Sequence, residues 1–273
     1  MIKAVFTNIK DEHRYLEEWI EYHIRLGINK FILYEDEGSE SHADIINKYA
    51  KVTNIDFYDN ILRKDSEEFK DMTCFKHIYE NYNDIDWLIK LDPDEYIVMP
   101  GTDTIDDMLY NVDSKFDQIT LFWKLYNANG FIYQPYDGKY SLMDTYLGDI
   151  SVSQLADYFG SNTSSNRYDI GKSFIRYKKV RENGFNICEG FPHWILPVEG
   201  SLDGDSINVH INHYITKSFE EFYNRLKNKG EYNSVFYRKL GDFFVLNPDM
   251  IEKIPEIESK FNIDIFSFET KLN

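Results

Sequence analysis

The chain has 273 residues, 42% of them apolar and 16% aromatic, enough to bury a sizeable core and too many for a disordered chain. Its 47 acidic residues against 30 basic ones give a formal charge of −17, which argues against a nucleic-acid partner and against electrostatic docking on anionic lipid. Two cysteines, Cys74 and Cys188, lack zinc spacing and read as reduced thiols of a cytoplasmic protein, and no apolar run approaches the roughly 20 residues of a membrane span, though peripheral membrane association stays open.

Residues 2–7 read as a first strand rather than a signal peptide. Asp11 is placed as the N-cap of a helix over 12–26, with Leu16, Trp19, Ile20 and His23 at helical spacing and Gly27 ending it. Strands are expected at 30–34 and 52–58, helices at 41–50 and 66–82. A strand at 87–91 then runs into Asp92-Pro93-Asp94-Glu95. Strands alternating with helices predict right-handed crossovers and a parallel sheet, whose ligands sit beyond the C-terminal strand ends. That rule gathers Asn8, Glu12, Asp36 and Asp92 to Glu95 around one crevice.

The second half is less regular. Thr104 and Asp107 suggest a capping box, and 118–123, 172–179 and 209–214 suggest strands. Residues 127–170, rich in Gly, Asn, Ser and Tyr, read as long loops with short elements. Ser218 and Glu221 form a second capping box before an apolar helical face. No linker composition divides the chain, so one domain over 1–273 is expected.

Asp92 and Asp94, one residue apart after a buried strand, are hard oxygen donors suited to a divalent cation; the plain alternative is a turn in which Asp92 caps backbone N–H groups. His213 could complete such a site, with the following helix N-terminus and Lys217 receiving phosphate oxygens, or it could be a packed histidine. His210 falls on the opposite strand face, and His193 reads as a loop residue. Glu12 and Asp36 suit a nucleotide base or ribose hydroxyl, or simply the start of a helix.

Taken in order, these motifs resemble the DUF23-like branch of the glycosyltransferase 2 superfamily, close to glycosyltransferase family 92. The matching segments are 10–23 (Lys10-Asp-Glu12 through Trp19 to His23), Leu26-Gly27, Phe31 to Tyr34, and Leu91 to Tyr96. They continue with Trp123 and Gly130, Lys172 to Arg176, and His213-Tyr-Ile-Thr-Lys217-Ser218 through Phe222 with Gly230. Two positions depart from the pattern: Asp11 stands where Asn is usual, and Asn127 where Gly is more usual.

The resemblance implies a GT-A fold, with a Rossmann-like nucleotide-sugar-binding half over 1–125 and an irregular acceptor half over 126–273. It also implies a UDP-sugar donor, Mn2+ or Mg2+ held by Asp92, Asp94 and His213, and inverting transfer to a hydroxyl of a glycan. Asn8, Glu12, Asp36, Asp92, Lys172 and Lys217 are the expected donor contacts. Glu189 is the expected catalytic base, with Asp149 and Asp169 as rivals. Competing readings are a metal-dependent nucleotidyltransferase or phosphohydrolase, which lacks support from any glycine-rich phosphate loop, and a carbohydrate-binding protein without catalysis.

Overall fold

The computed structural model describes residues 1–59, 70–135, 141–151, 171–182, 200–228 and 240–265. The chain divides into two compact units, residues 1–123 with 170–212 and residues 124–169 with 213–273.

The first unit is built on β1 (Lys3–Ile9), α1 (His13–Leu26), β2 (Lys30–Glu35), α2 (Ala43–Tyr49), β3 (Asn54–Asp59), α3 (Lys70–Asn81) and β4 (Trp87–Lys90). It continues through β5 (Glu95–Val98), α4 (Ile105–Tyr110), β6 (Gln118–Leu125) and β7 (Gly171–Ile175), then a helix over Tyr177–Glu182, β8 (Ser201–Asp203) and β9 (His210–His213). Among the described residues the strands form one sheet in the order β3-β2-β1-β4-β7-β6-β9-β5, with β8 added beside β6. From β3 to β4 the strands are parallel, and β7 runs antiparallel to both β4 and β6. The expected α/β class, a mostly parallel sheet flanked by helices, is the architecture found.

Strand alternation sorts the core. Ala4 and Phe6 of β1 and Ile32 and Tyr34 of β2 pack with Cys74, Phe75 and Ile78 of α3. On α1, Leu16, Trp19, Ile20 and His23 are buried, and the Trp19 ring meets Phe31 edge-on at 5.9 Å. Two side chains tie α1 to β5: Trp19 Nε1 donates to the Glu95 carbonyl at 3.0 Å, and the Tyr22 hydroxyl donates to the Ile97 carbonyl at 2.6 Å. Gly27 ends α1 with φ at 100°, a left-handed conformation open to glycine, while its N–H closes on the His23 and Ile24 carbonyls.

Asp11 is not the N-cap of α1. Its own φ is 56°, its carboxylate accepts from the Glu40 N–H, and Glu12 takes the cap position without a side-chain cap bond. The strand expected over 172–179 stops at Ile175, because Tyr177 and Val180, three residues apart and both buried, continue as a helical face. The Thr104 cap stands as expected, accepting from the Asp107 N–H at 3.2 Å.

The second unit is centred on aromatic packing. Phe219 and Phe222, on the helix Phe219–Asn228, join Phe243 and Phe244 of the helix Leu240–Leu246 and Ile257 of the helix Ile254–Phe261. Phe219 meets Phe243 edge-on at 5.1 Å and Phe261 at the same distance. Ser218 and Glu221 form the expected capping box, the Glu221 N–H reaching Ser218 Oγ at 3.3 Å. The stretch from 127 is irregular as expected, yet it is anchored. Buried Asn247 accepts from the Ala128 N–H at 2.5 Å and donates to the Phe243 carbonyl at 2.6 Å, and Lys253 donates to the Gly130 carbonyl at 2.6 Å.

Candidate active site

The sequence 87–95 builds its site by simple strand periodicity. Trp87, Leu88 and Ile89 lock β4 into the sheet beside β1, with Phe6 opposite Lys90. Lys90 and Asp92 then fall on one side and Leu91 on the other. A tight turn follows: the Glu95 N–H donates to the Asp92 carbonyl at 2.9 Å, and the Asp92 N–H donates back to Glu95 Oε2 at 2.9 Å. It is the Glu95 side chain that caps the turn, at the Asp92 N–H, while the Asp92 carboxylate faces lysines. Asp94 is buried at the turn's tip, 6% exposed.

Charges of opposite sign alternate through this end of the sheet. Asp71 lies 3.6 Å from Lys90, and Lys90 pairs with Asp92 Oδ1. Lys172 Nζ approaches Asp92 Oδ2 at 3.2 Å and Glu95 Oε1 at 3.5 Å. The side chains of Lys172 and Glu95 have no exposed surface, whereas that of Asp92 is 35% exposed. The Lys172 ammonium also sits 5.5 Å from the Trp123 ring centre. Burial alone would push the Lys90 ammonium down, but the carboxylates of Asp71, Asp92 and Glu95 overcome it and hold its pKa above the ordinary lysine value. Burial pushes Glu95 above the usual carboxylate range, with the Lys172 ammonium pulling it back. The arrangement places two buried cations beneath a half-exposed carboxylate. The part that reaches solvent is therefore a carboxylate whose two oxygens are each held by a buried ammonium, a setting suited to a cation rather than to a bare anion.

Asn8, near the end of β1, is held rigidly: its amide donates to Asp71 at 2.7 Å, and its carbonyl accepts from the Cys74 thiol at 2.8 Å. Glu12 lies at the start of α1 and Asp36 just past β2, its N–H donating to the Ile9 carbonyl at 2.9 Å. The first unit therefore brings Asn8, Asp92 and Lys172 onto one network through Asp71 and Lys90, and sets Glu12 and Asp36 on the neighbouring strand ends.

A profile of glycosyltransferase family 92 matches residues 9–249. The chain belongs to glycosyltransferase family 92. A family 92 protein of Oryza sativa subsp. japonica is 28% identical over 113 residues, a match that spans 41% of this chain and 19% of the rice protein. Among solved structures, TarS 1-349 of S. aureus in complex with UDP-GlcNAc is similar with a TM-score of 0.44 at 12% identity, covering 98% of this chain and 77% of that one. GalNAc-T7 with UDP, GalNAc and Mn2+ is similar with a TM-score of 0.46 at 11% identity, covering 98% of this chain and 55% of that one.

Of the other expected site residues of this family 92 chain, His213, Lys217 and Asp149 fall in the second unit, and Glu189 and Asp169 lie outside the described residues. His213 ends β9, is 5% exposed, and gives its carbonyl to the Tyr126 N–H at 3.0 Å. Lys217 is 2% exposed with φ at 54°. His193 also lies outside the described residues. Asp149 is open to solvent and paired with Lys124 at 3.6 Å. Arg176 is engaged elsewhere, its Nε on the Phe116 carbonyl at 3.1 Å and its guanidinium 4.5 Å from the Trp87 ring centre.

Lys90 was missed by motif reading, although a lysine inside the run Trp87-Leu-Ile-Lys90-Leu is a legible signal. A buried lysine needs a carboxylate partner, and the nearest on its own face is two residues on. Asp71 gave no such signal, since only the fold brings it near. Among the described residues, no three His, Cys, Asp or Glu side chains gather as a self-contained metal site. No helix among them is long and apolar enough to cross a membrane.

Proposed function

We propose that this family 92 protein is an inverting glycosyltransferase that moves a sugar from a nucleotide-sugar donor, a UDP-sugar, to a hydroxyl of a glycan acceptor. The observation that carries the reading is the Asp92 to Glu95 turn at the end of a parallel strand, with Lys90 and Lys172 buried beneath it. Such a position suits the diphosphate of a nucleotide.

Asp92 and Asp94 fit a hard divalent cation, Mn2+ or Mg2+, in donor type. Such a cation is commonly bound through one or two carboxylates plus substrate phosphates, so the donor would complete its shell. When bound, that cation neutralises negative charge growing on the leaving diphosphate. Lys90 and Lys172 hold the Asp92 carboxylate in place, one ammonium on each oxygen. Glu12 and Asp36 receive the base and ribose, and Asn8 stiffens the floor between them. The strand-end position of His213 and the helix start beside Lys217, together with the resemblance, assign His213 as a further ligand and Lys217 as a phosphate contact.

The acceptor hydroxyl oxygen attacks the anomeric carbon from the face opposite the diphosphate. The bond from that carbon to the phosphate oxygen breaks, its electron pair leaves with UDP, and the hydroxyl proton passes to a carboxylate, assigned to Glu189. A cytoplasmic location goes with the buried Cys74 thiol, which donates to Asn8.

Incubation with a panel of nucleotide sugars and Mn2+, followed by assay for free nucleotide, tests the reading. Release of UDP from one donor, lost in Asp94→Asn, is expected. Release of inorganic phosphate instead would make the protein a phosphohydrolase, and no turnover with any donor would end the proposal.

A further inference from the structure

The loops that follow β1 and β2 are fastened to each other. The Asp11 N–H donates to Ser39 Oγ at 3.1 Å, and the Glu40 N–H donates to the Asp11 carboxylate at 3.2 Å. Beneath them lies His42, without exposed surface. Glu35, the last residue of β2, accepts at Oε1 from the His42 backbone N–H and from ring Nδ1, each at 2.8 Å. A carboxylate on Nδ1 fixes the proton there and leaves a lone pair on Nε2. That lone pair accepts the Glu12 N–H at 3.0 Å. The His13 ring stacks on His42 at 3.9 Å between centres, closing the solvent side.

The imidazole therefore spans two loops, one bearing Glu12 and the other running from Glu35 through Asp36. We propose that His42 is a positioning residue for the nucleotide end of the donor site, setting the separation of Glu12 and Asp36 by holding the Glu12 amide to the end of β2. This role rests on the donor reading above. Nothing about His42 requires it to touch the ligand. It acts by fixing the backbone from which Glu12 projects, and a pre-set backbone lowers the ordering cost of binding.

The bond has a built-in acid limit. Protonation at Nε2 would turn the acceptor into a donor facing the Glu12 N–H. Burial pushes the His42 pKa below the ordinary histidine value, the Glu35 carboxylate works against that, and His13 reinforces it; Asp11 is the other charged group that faces the ring. The ring is thus neutral at neutral pH, and the clamp opens only on the acid side.

Calorimetric titration of UDP with Mn2+ into the full chain, at several pH values, tests this with two variants. His42→Asn keeps a donor for Glu35 but is too short to reach Glu12. His42→Gln can reach Glu12 with an amide oxygen that does not titrate. At neutral pH, His42→Asn should bind UDP about fivefold more weakly, the worth of about one hydrogen bond. His42→Gln should stay within about twofold of the wild type, since its oxygen restores the acceptor. On acidification the wild type should lose affinity more steeply than His42→Gln. Equal affinity in wild type and His42→Asn, or an identical acid-side fall in wild type and His42→Gln, overturns the role of His42 while leaving the donor reading intact. A wild type that binds no UDP at any pH overturns the donor reading and this role with it.

Discussion

Lys172 lies between two carboxylates, 3.2 Å from Asp92 and 3.5 Å from Glu95, with its side chain fully enclosed. Removing one partner of such a group leaves uncompensated charge in a poor solvent, a change that typically costs about 3 kcal/mol or more. Lys172→Met should therefore destabilise the protein by about that amount in urea unfolding. Glu95→Gln added to it should recover a large part, because the charge left behind is then gone; purely additive losses would show that the pair is not coupled. Asp92 and Asp94 were legible from the sequence because an acidic cluster after an apolar strand is rare in a core. The lysines beneath them were harder to see. Lys172 was readable only as part of a family pattern, and its partnership with Glu95 spans 77 positions that the sequence alone cannot bring together.

Gly171 opens β7 opposite Phe122 of β6, and a Cβ at this position would stand 2.0 Å from the Leu121 carbonyl oxygen. No side-chain rotation relieves a clash with backbone. Gly171→Ala should push β7 away from β6, lower stability by about 3 kcal/mol and disturb Lys172, the next residue along. Loss of thermal stability together with weaker UDP binding is the expected result, and an unchanged melting temperature would contradict it. At this scale β1 to β4 and their helices could be read in advance, because short apolar runs alternate there with segments of helical period. β5 and β8 could not: β5 follows directly on the acidic turn, which draws the eye to its carboxylates, and β8 has only three residues. Tyr177 to Glu182 misled the reading because Tyr177 and Val180 fit a strand's composition while taking a helix's spacing. Helices Leu240–Leu246 and Ile254–Phe261 left little trace, since they have only seven and eight residues, and the first carries Gly241 where a helix former would mark it.

The whole chain carries a formal charge of −17, and an arriving nucleotide diphosphate is itself an anion. On the proposed donor reading the long-range field therefore opposes the encounter, and salt screens that effect. The association rate of UDP, measured by stopped flow with Mn2+ present, should rise between about 20 and 200 mM salt. A falling rate would mean that local basic groups dominate the approach. Composition made this global property legible at once, and the resemblance placed a division near residue 125, while the return of residues 170–212 to the first unit had no mark in the composition.

The two bonds from α1 to β5 have a mechanical consequence. Glu12 stands at one end of a stiff rod, and Trp19, two turns along, grips the backbone of Glu95. The rise between them is about 10 Å, set by helix geometry alone. The rod works as a gauge block: it fixes how far the Glu12 backbone stands from the acidic turn, and on the proposed donor site that span would match the distance from nucleobase to diphosphate.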